Sequence, residues 1–457
     1  MSQRRRSLDR TIRPGLLLVL GLVAIILIGS LLLALPFAST TSRSLPWLDA
    51  LFTSTSAVCV TGLTVLDTAT DISRTGQVFI LVLMQLGGLG VMSASGLVSL
   101  LLGRGLGLRE ASLVHDLFDD RMRTEAGSIL RLIALMSLGF EAVGVALLWF
   151  GLADVIPDAG MRLWSAVFHS VSAFCNAGFD LFPASLVGVA GNGLIMGTIT
   201  SLLVIGGLGF AVIVNVVAWG RGRALRSRRR STPGPRLSIQ ARVVLRMSLG
   251  LLLGGAVAIY ALEWSGALAG DGLLEGLGKA LFQSATSRTA GFSTMDLTML
   301  GPPSLVVIML LMSIGAGPGS TAGGLKLTTV AVLGANLRAI ASGHDQARLF
   351  DREIPRLVVR RSFMILTSWI AALVLAVTVL LITEGATLQT TLFEAVSALG
   401  TVGLTLGLTP ELTDPGKVTV ILLMFLGRLG PLAVAYGLVG MSSGQTVRYP
   451  ETTLMVG

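Results

Sequence analysis

The chain has 457 residues, of which 53% are hydrophobic and only 13% charged, and its mean hydropathy is +0.81. A soluble globular domain carries about 25% charged residues, so the composition excludes one and points to an integral membrane protein. The net charge of +9 does not imply nucleic acid as a partner, because the arginines flank apolar runs, where they set orientation and contact anionic membrane lipids.

A helix needs about 20 residues to cross a bilayer. Apolar runs that meet this are read at 15–36, 77–102, 128–153, 187–219, 243–269, 302–340, 360–383 and 416–440, eight in all. The first follows MSQRRRSLDR, but it is too long for a signal peptide and lacks a small-residue cleavage site. Arginine gathers in the arm before residue 15 and in the stretches 104–131, 220–246 and 338–361. These segments, with the N-terminus, are expected in the cytoplasm. The opposite loops collect acids: Asp49, Asp67, Asp71, Asp154, Asp158, Asp180, Glu263, Asp271, Glu275, Asp296, Glu384, Glu411 and Asp414. An acidic outer mouth would concentrate cations.

Between the spans, four segments align on a phenylalanine. They read LFTSTSAVCVTGLT from Leu51, VFHSVSAFCNAGFD from Val167, LFQSATSRTAGFST from Leu281 and LFEAVSALGTVGLT from Leu392. Each reaches one glycine, Gly62, Gly178, Gly291 or Gly403, ten positions after the phenylalanine in three copies and nine in the third. A second glycine-rich stretch follows each: QLGGLG from Gln85, IGGLGF from Ile205, SIGAGPGSTAGG from Ser313 and FLGRLGP from Phe425. The repeating unit is therefore membrane helix, short half-helix, glycine loop, membrane helix.

The predicted fold class is an all-α integral membrane protein, with eight transmembrane helices and four re-entrant pore helices arranged pseudo-symmetrically around a central pore. After a cytoplasmic arm (1–14), repeat one covers 15–103, repeat two 104–219, repeat three 220–340 and repeat four 341–441, each of the last three with its preceding cytoplasmic segment; a tail (442–457) ends the chain. Non-helical backbone survives at membrane depth only where protein buries it or water reaches it, so the four glycine loops are expected to meet. The carboxyl end of a helix carries about half a negative charge, and four such ends on one axis would favour a cation.

With TVGL at 401, TAGF at 289, NAGF at 176 and VTGL at 60, the chain resembles the Trk/Ktr/HKT superfamily of potassium transporters over nearly its whole length. It is most similar to the KtrB-type branch, since no additional helices precede the first repeat. The resemblance implies a potassium filter of main-chain carbonyls from Cys59, Val60, Thr61 and Gly62; Cys175, Asn176, Ala177 and Gly178; Arg288, Thr289, Ala290 and Gly291; and Gly400, Thr401, Val402 and Gly403. Sodium-selective plant relatives typically carry serine at the first filter glycine, so Gly62 implies K+ as the transported ion. Cys59 and Cys175 hold the same position in repeats one and two; packing behind the filter is expected of them rather than a disulfide framework.

The interruption GAGPGSTAGG cannot sustain a regular helix. By resemblance, Gly315, Ala316, Gly317, Pro318, Gly319, Ser320, Thr321, Ala322, Gly323 and Gly324 form an intramembrane gating loop, with Lys326 anchoring its end. Arg428 resembles the family's arginine beneath the filter, expected to repel K+ and to hold the loop through its carbonyls. Two charges lie at filter depth. Arg288 and Glu394 are expected either to pair or to act separately, Glu394 at the positive start of its half-helix and Arg288 on loop carbonyls. His169 aligns with Thr53, Gln283 and Glu394 at the expected pore-helix start. Glu141 has no partner that the sequence names.

A channel-like path regulated from outside is the favoured reading, and an alternating-access cation carrier is the alternative. An intramembrane serine peptidase built on Ser320 is disfavoured, because His115, His169 and His344 fall far from it by topology; the chain is not expected to be an enzyme. The resemblance further implies a homodimer on a cytoplasmic KtrA-type (RCK) ring that binds ATP or ADP, so the nucleotide belongs to that partner. It also admits Na+ as an activator. The basic stretches 220–242 and 338–361 are candidate docking surfaces.

Overall fold

A computed structural model describes residues 14–101, 126–226 and 237–430. The N-terminal arm, most of the 104–131 stretch, much of the basic loop from 220, the end of the last apolar run and the C-terminal tail lie outside them.

The described chain is helical apart from short segments such as the two-residue strands Arg348–Leu349 and Arg352–Glu353, which pair antiparallel. In chain order the helices are α1 Pro14–Ala34, α2 Trp47–Cys59, α3 Arg74–Leu101, α4 Ala126–Gly151, α5 Ala159–Cys175, α6 Gly193–Leu208, α7 Phe210–Arg226, α8 Ile239–Glu263, α9 Leu273–Thr286, α10 Pro302–Ser313, α11 Leu327–Ala341, α12 Arg356–Glu384, α13 Leu388–Gly400 and α14 Asp414–Leu429. Among the described residues, Arg131–Gly151, Ile239–Glu263 and Arg356–Glu384 are each long and apolar enough to cross a membrane. Gly193–Leu208 with Phe210–Gly220 makes a fourth if that bent pair counts as one span.

The short helices α2, α5, α9 and α13 are where the sequence repeats fall. Their anchoring phenylalanines, Phe52, Phe168, Phe282 and Phe393, are all fully buried. Each short helix packs on its own outer helix: α2 on α1, α5 on α4, α9 on α8 and α13 on α12. In three copies a serine two residues after the phenylalanine makes that contact specific. Ser54 donates to the Ile26 carbonyl (2.8 Å), Ser170 to Glu141 (2.7 Å) and Ser284 to Leu252 (2.9 Å). Ala395 holds this place in the fourth copy. Contacts between copies are cyclic, with α3 on α5, α6 on α9, α10 on α13 and α14 on α2. At the closure between fourth and first copies, Lys417 on α14 pairs with Asp49 on α2 at 2.6 Å.

Apolar side chains are not confined to the interior, nor polar ones to the surface. Exposed positions include Leu249, Leu253 and Val257 along α8 and Val374, Leu375 and Ile382 along α12, whereas the interior holds Ser54, Ser56, Thr61, Ser172, Gln283 and Ser397. Hydroxyls buried among apolar side chains, inside an apolar exterior, suit a chain whose surroundings are hydrocarbon and whose centre is polar.

Among the described residues, two inner helices are broken. The interruption after α10 was expected, and there Ile314 and Leu325 form a parallel bridge that closes the 315–324 loop on itself. The break at Gly209 was not: the 187–219 run was expected as one helix, but α6 and α7 meet at 100°. Gly209 has φ +88, and an added Cβ would lie 2.6 Å from the Pro318 carbonyl oxygen. The bend makes room for the 315–324 loop, whose Gly319 carbonyl accepts from Phe210 N at 3.2 Å.

Candidate ion-binding ring and the segment beneath it

Each short helix ends in the same backbone device. The second residue of each quartet is left-handed: Val60 (φ 56), Asn176 (φ 57), Thr289 (φ 80) and Thr401 (φ 51). The quartet glycines follow at φ 91, 70, 85 and 94. Three of the left-handed residues are β-branched, a conformation that costs on the order of 1–3 kcal/mol each and concentrates at functional sites. In three copies the next N–H reaches back five residues: Thr61 to Ser56, Ala177 to Ser172 and Val402 to Ser397, each 2.8 Å. The copy with one residue fewer closes over four, Ala290 to Thr286 at 2.9 Å. The lost residue is therefore absorbed at the helix end, and the glycine keeps its place.

A hydroxyl four residues after each phenylalanine then ties down the loop. Gly62 N donates to Ser56 Oγ and Gly403 N to Ser397 Oγ, both at 3.1 Å. Ser172 Oγ donates to the Phe179 carbonyl (2.6 Å) and Thr286 Oγ1 to that of Phe292 (2.7 Å). These four residues were missed from the sequence, although the aligned copies read Ser, Ser, Thr, Ser at that position.

The four glycines form a closed ring. A Cβ built on Gly62 would lie 2.6 Å from the Ala177 carbonyl oxygen, one on Gly178 2.7 Å from that of Ala290, and one on Gly291 2.7 Å from that of Val402. One on Gly403 would strike the Thr61 carbonyl and complete the circuit. A side chain at any of the four would have to displace the carbonyl of a neighbouring copy. The second glycine stretch has a matching role beneath it: Gly87, Gly206 and Gly427 lie directly against the carbonyls of Val58, Phe174 and Leu399, the last turn of each short helix.

Above the ring opens a cavity of about 740 Å³ whose lining includes all four glycines and the acids Asp67, Asp71, Asp180 and Asp296. Of the other acids expected at this mouth, Asp49 is paired with Lys417, Asp271 and Glu275 with Lys279, and Glu263 and Glu384 hold the starts of α10 and α14 through Gly301 N (2.9 Å) and Thr413 N (2.8 Å). The acidic mouth is thus smaller than the sequence suggested. Burial pushes the Asp180 carboxyl up to about 7; its bond to Ser185 opposes this and nearby Asp67 adds to it.

Below the ring lies the 315–324 segment. An added Cβ on Gly323 would meet Thr401, and one on Gly324 would lie 3.4 Å from the Gly400 carbonyl oxygen. Two cations cover three successive carbonyls of the segment: Arg428 donates to Thr321, and Lys326 Nζ to Ala322 (2.6 Å) and Gly323 (3.4 Å). Arg428 also donates to the Gly87 carbonyl of the first copy. Among the described residues the buried Ser320 Oγ has no hydrogen-bond partner. His169 is instead engaged by Ser165 and by the Leu181 N–H.

Several other expectations need correction. Arg288 and Glu394 do not pair. Arg288 Nη1 donates to Ser248 Oγ on α8 (2.8 Å), while the Glu394 carboxylate accepts from Thr405 (2.7 Å) and from Thr409 in its own following loop. Nor does Glu394 sit at its helix start. It is the seventh residue of α13, and Thr53, His169 and Gln283 likewise lie past the first turns of their helices. Glu141 finds Gln85 (2.9 Å) and Ser137 (3.2 Å). Cys59 and Cys175 are buried free thiols.

Comparison with known proteins matches residues 19–449 to the TrkH family of cation transport proteins. Ktr system potassium uptake protein B of Bacillus subtilis is 35% identical over 97% of each chain. The potassium/sodium uptake protein NtpJ of Enterococcus hirae is 33% identical over 100% of each. Among solved structures, the potassium transporter TrkH from Vibrio parahaemolyticus superposes with a TM-score of 0.72 at 20% identity, covering 95% of this chain and 86% of that one; this likeness speaks to the fold.

Proposed function

The chain belongs to the TrkH family of cation transport proteins, and on that premise we propose that it takes up K+ across the cell membrane through the ring of Gly62, Gly178, Gly291 and Gly403. The observation that carries this reading is the closed circuit of four glycines, each at the carboxyl end of a buried short helix. Four helix ends direct partial negative charge of about half an electron each to one axis. Filter carbonyls there replace the water that K+ sheds, while the acids lining the outer cavity raise the local cation concentration.

In this reading the outer and inner helices make eight membrane crossings, with a cytoplasmic N-terminus, and α2, α5, α9 and α13 are re-entrant pore helices. The 315–324 segment is the gate. Arg428 and Lys326 occupy its carbonyls, so a K+ ion arriving from the ring meets two positive charges instead of oxygen ligands, and flux requires the segment to move. No group in this account supplies energy, and control is assigned to a cytoplasmic nucleotide-binding ring beneath a homodimer of this chain. The name of the Enterococcus relative makes Na+ the first ion to test as co-substrate or activator.

Complementation of a potassium-uptake-deficient strain, with and without a regulatory ring, tests the proposal. The chain should restore growth at low K+, and Gly62→Ser should shift preference toward Na+. Failure of the intact chain to restore growth with the ring present contradicts it.

A further inference from the structure

The filter reading gives Asn176 only a main-chain role, yet its side chain is the one at the second filter position that hydrogen-bonds the gating segment. Asn176 Nδ2 donates to Thr321 Oγ1 at 2.9 Å, and that hydroxyl donates to the Phe174 carbonyl at the end of α5 at 3.2 Å. Thr321 N points to the Gly206 carbonyl (3.4 Å), and the Thr321 carbonyl accepts from Arg428. A single residue of the segment therefore touches the second filter strand, the helix that supports it, the inner helix of the same copy and the cation of the fourth copy. Both partners are buried, Asn176 at 1% and Thr321 at 0% exposure.

The other strands lack this bond. Val60 has no polar side-chain atom, and among the described residues the buried Thr289 and Thr401 hydroxyls have no hydrogen-bond partner. The space around the pair is also closed. A Cβ on Gly206 would lie 2.9 Å from Asn176 Nδ2 and 3.1 Å from Thr321 Oγ1, so a bare stretch of α6 seats both groups. Without Thr321 the Asn176 amide keeps only its longer contact, from Nδ2 to the Phe174 carbonyl at 3.5 Å, and turning toward a better partner lowers the cost of its burial. Asn176 is in the left-handed region, so such a turn acts on the backbone whose carbonyls face the ion.

We propose that Asn176 and Thr321 form a clasp that makes ion discrimination by the second filter strand depend on the position of the 315–324 segment. The inference rests on the ring being the filter and the segment the gate. With the clasp closed the strand is held in one geometry. Withdrawal of the segment removes Thr321 and frees the strand, so open and closed states discriminate differently.

The test is competitive equilibrium binding of labelled Rb+ and Na+ to the purified full-length chain, which reads the resting state with the clasp closed. The ratio of the two bound ions is read on the same sample, so loss of folded protein lowers both and leaves the ratio unchanged. Thr321→Val and Asn176→Ala should each lower the Rb+/Na+ ratio by about fivefold, and the double variant should show the same fall rather than the product, as expected for two residues sharing one interaction. Thr321→Ser keeps the hydroxyl and should restore the wild-type ratio. Unchanged ratios, or effects that multiply in the double variant, overturn the clasp and leave the filter reading standing. A wild-type chain that binds neither ion overturns the filter reading and the clasp with it.

Discussion

The glycine ring and the 315–324 segment are made of the same materials, glycines and main-chain carbonyls, but they are held differently. Each loop of the ring is tied by a hydroxyl of its own short helix, at Ser56, Ser172, Thr286 or Ser397. The segment is closed at its base by its own Ile314–Leu325 bridge and by Lys326, but it is also held from outside, by Arg428, Asn176 and the carbonyls of Gly206 and Gly207 in other copies. Ties within one helix and loop persist when the copies shift against one another, whereas ties between copies break. The comparison therefore distinguishes a part that must keep its shape from a part that must be released.

The sharpest way to break the comparison is to put a side chain into the ring. Gly403→Ala places a Cβ against the Thr61 carbonyl, and K+ uptake should fall to the level of cells lacking the protein while the chain still reaches the membrane. On the other side, Arg428→Gln removes one of the cations over the segment's carbonyls, and flux measured in proteoliposomes should rise several-fold. Unchanged flux would mean that Arg428 serves packing alone. Ser397→Ala removes the tie to Gly403 N, and thermal unfolding in detergent should show a loss of about 1 kcal/mol; a comparable loss from Thr321→Val would erase the distinction between the two regions.

The smallest effect concerns the outer cavity. Asp180 is held up to about 7 by burial, so it is largely neutral below that pH and charged above it. Raising external pH from about 6 to about 8 should therefore strengthen cation attraction and lower the K+ concentration needed for half-maximal uptake, and Asp180→Asn should flatten this dependence.

Much of the arrangement was legible because it repeats. Four phenylalanine-to-glycine intervals located the short helices, and the one-residue deletion in the third copy was visible before its accommodation at Thr286 was. The second glycine stretches were also legible, and their reason is now concrete in the close approaches of Gly87, Gly206 and Gly427 to helix-end carbonyls. What could not be read were partnerships between segments distant in sequence. Arg288 suggested an acid but uses the Ser248 hydroxyl, and Glu394 suggested a cation but uses two threonines of its own loop. Asp49 counted as mouth charge yet closes the ring of copies with Lys417. Periodicity shows which face of a helix is apolar, not which helix lies opposite. The bend at Gly209 escaped for the same reason, since its cause is the Pro318–Gly319 backbone, more than a hundred residues away.

If the path of K+ runs through the ring, anomalous scattering from crystals grown in Rb+ or Tl+ will find the ion there. The expected result is a peak on the axis encircled by Gly62, Gly178, Gly291 and Gly403, lost when Na+ replaces the heavier ion. Strong peaks elsewhere in the membrane interior, with none on that axis, would contradict it.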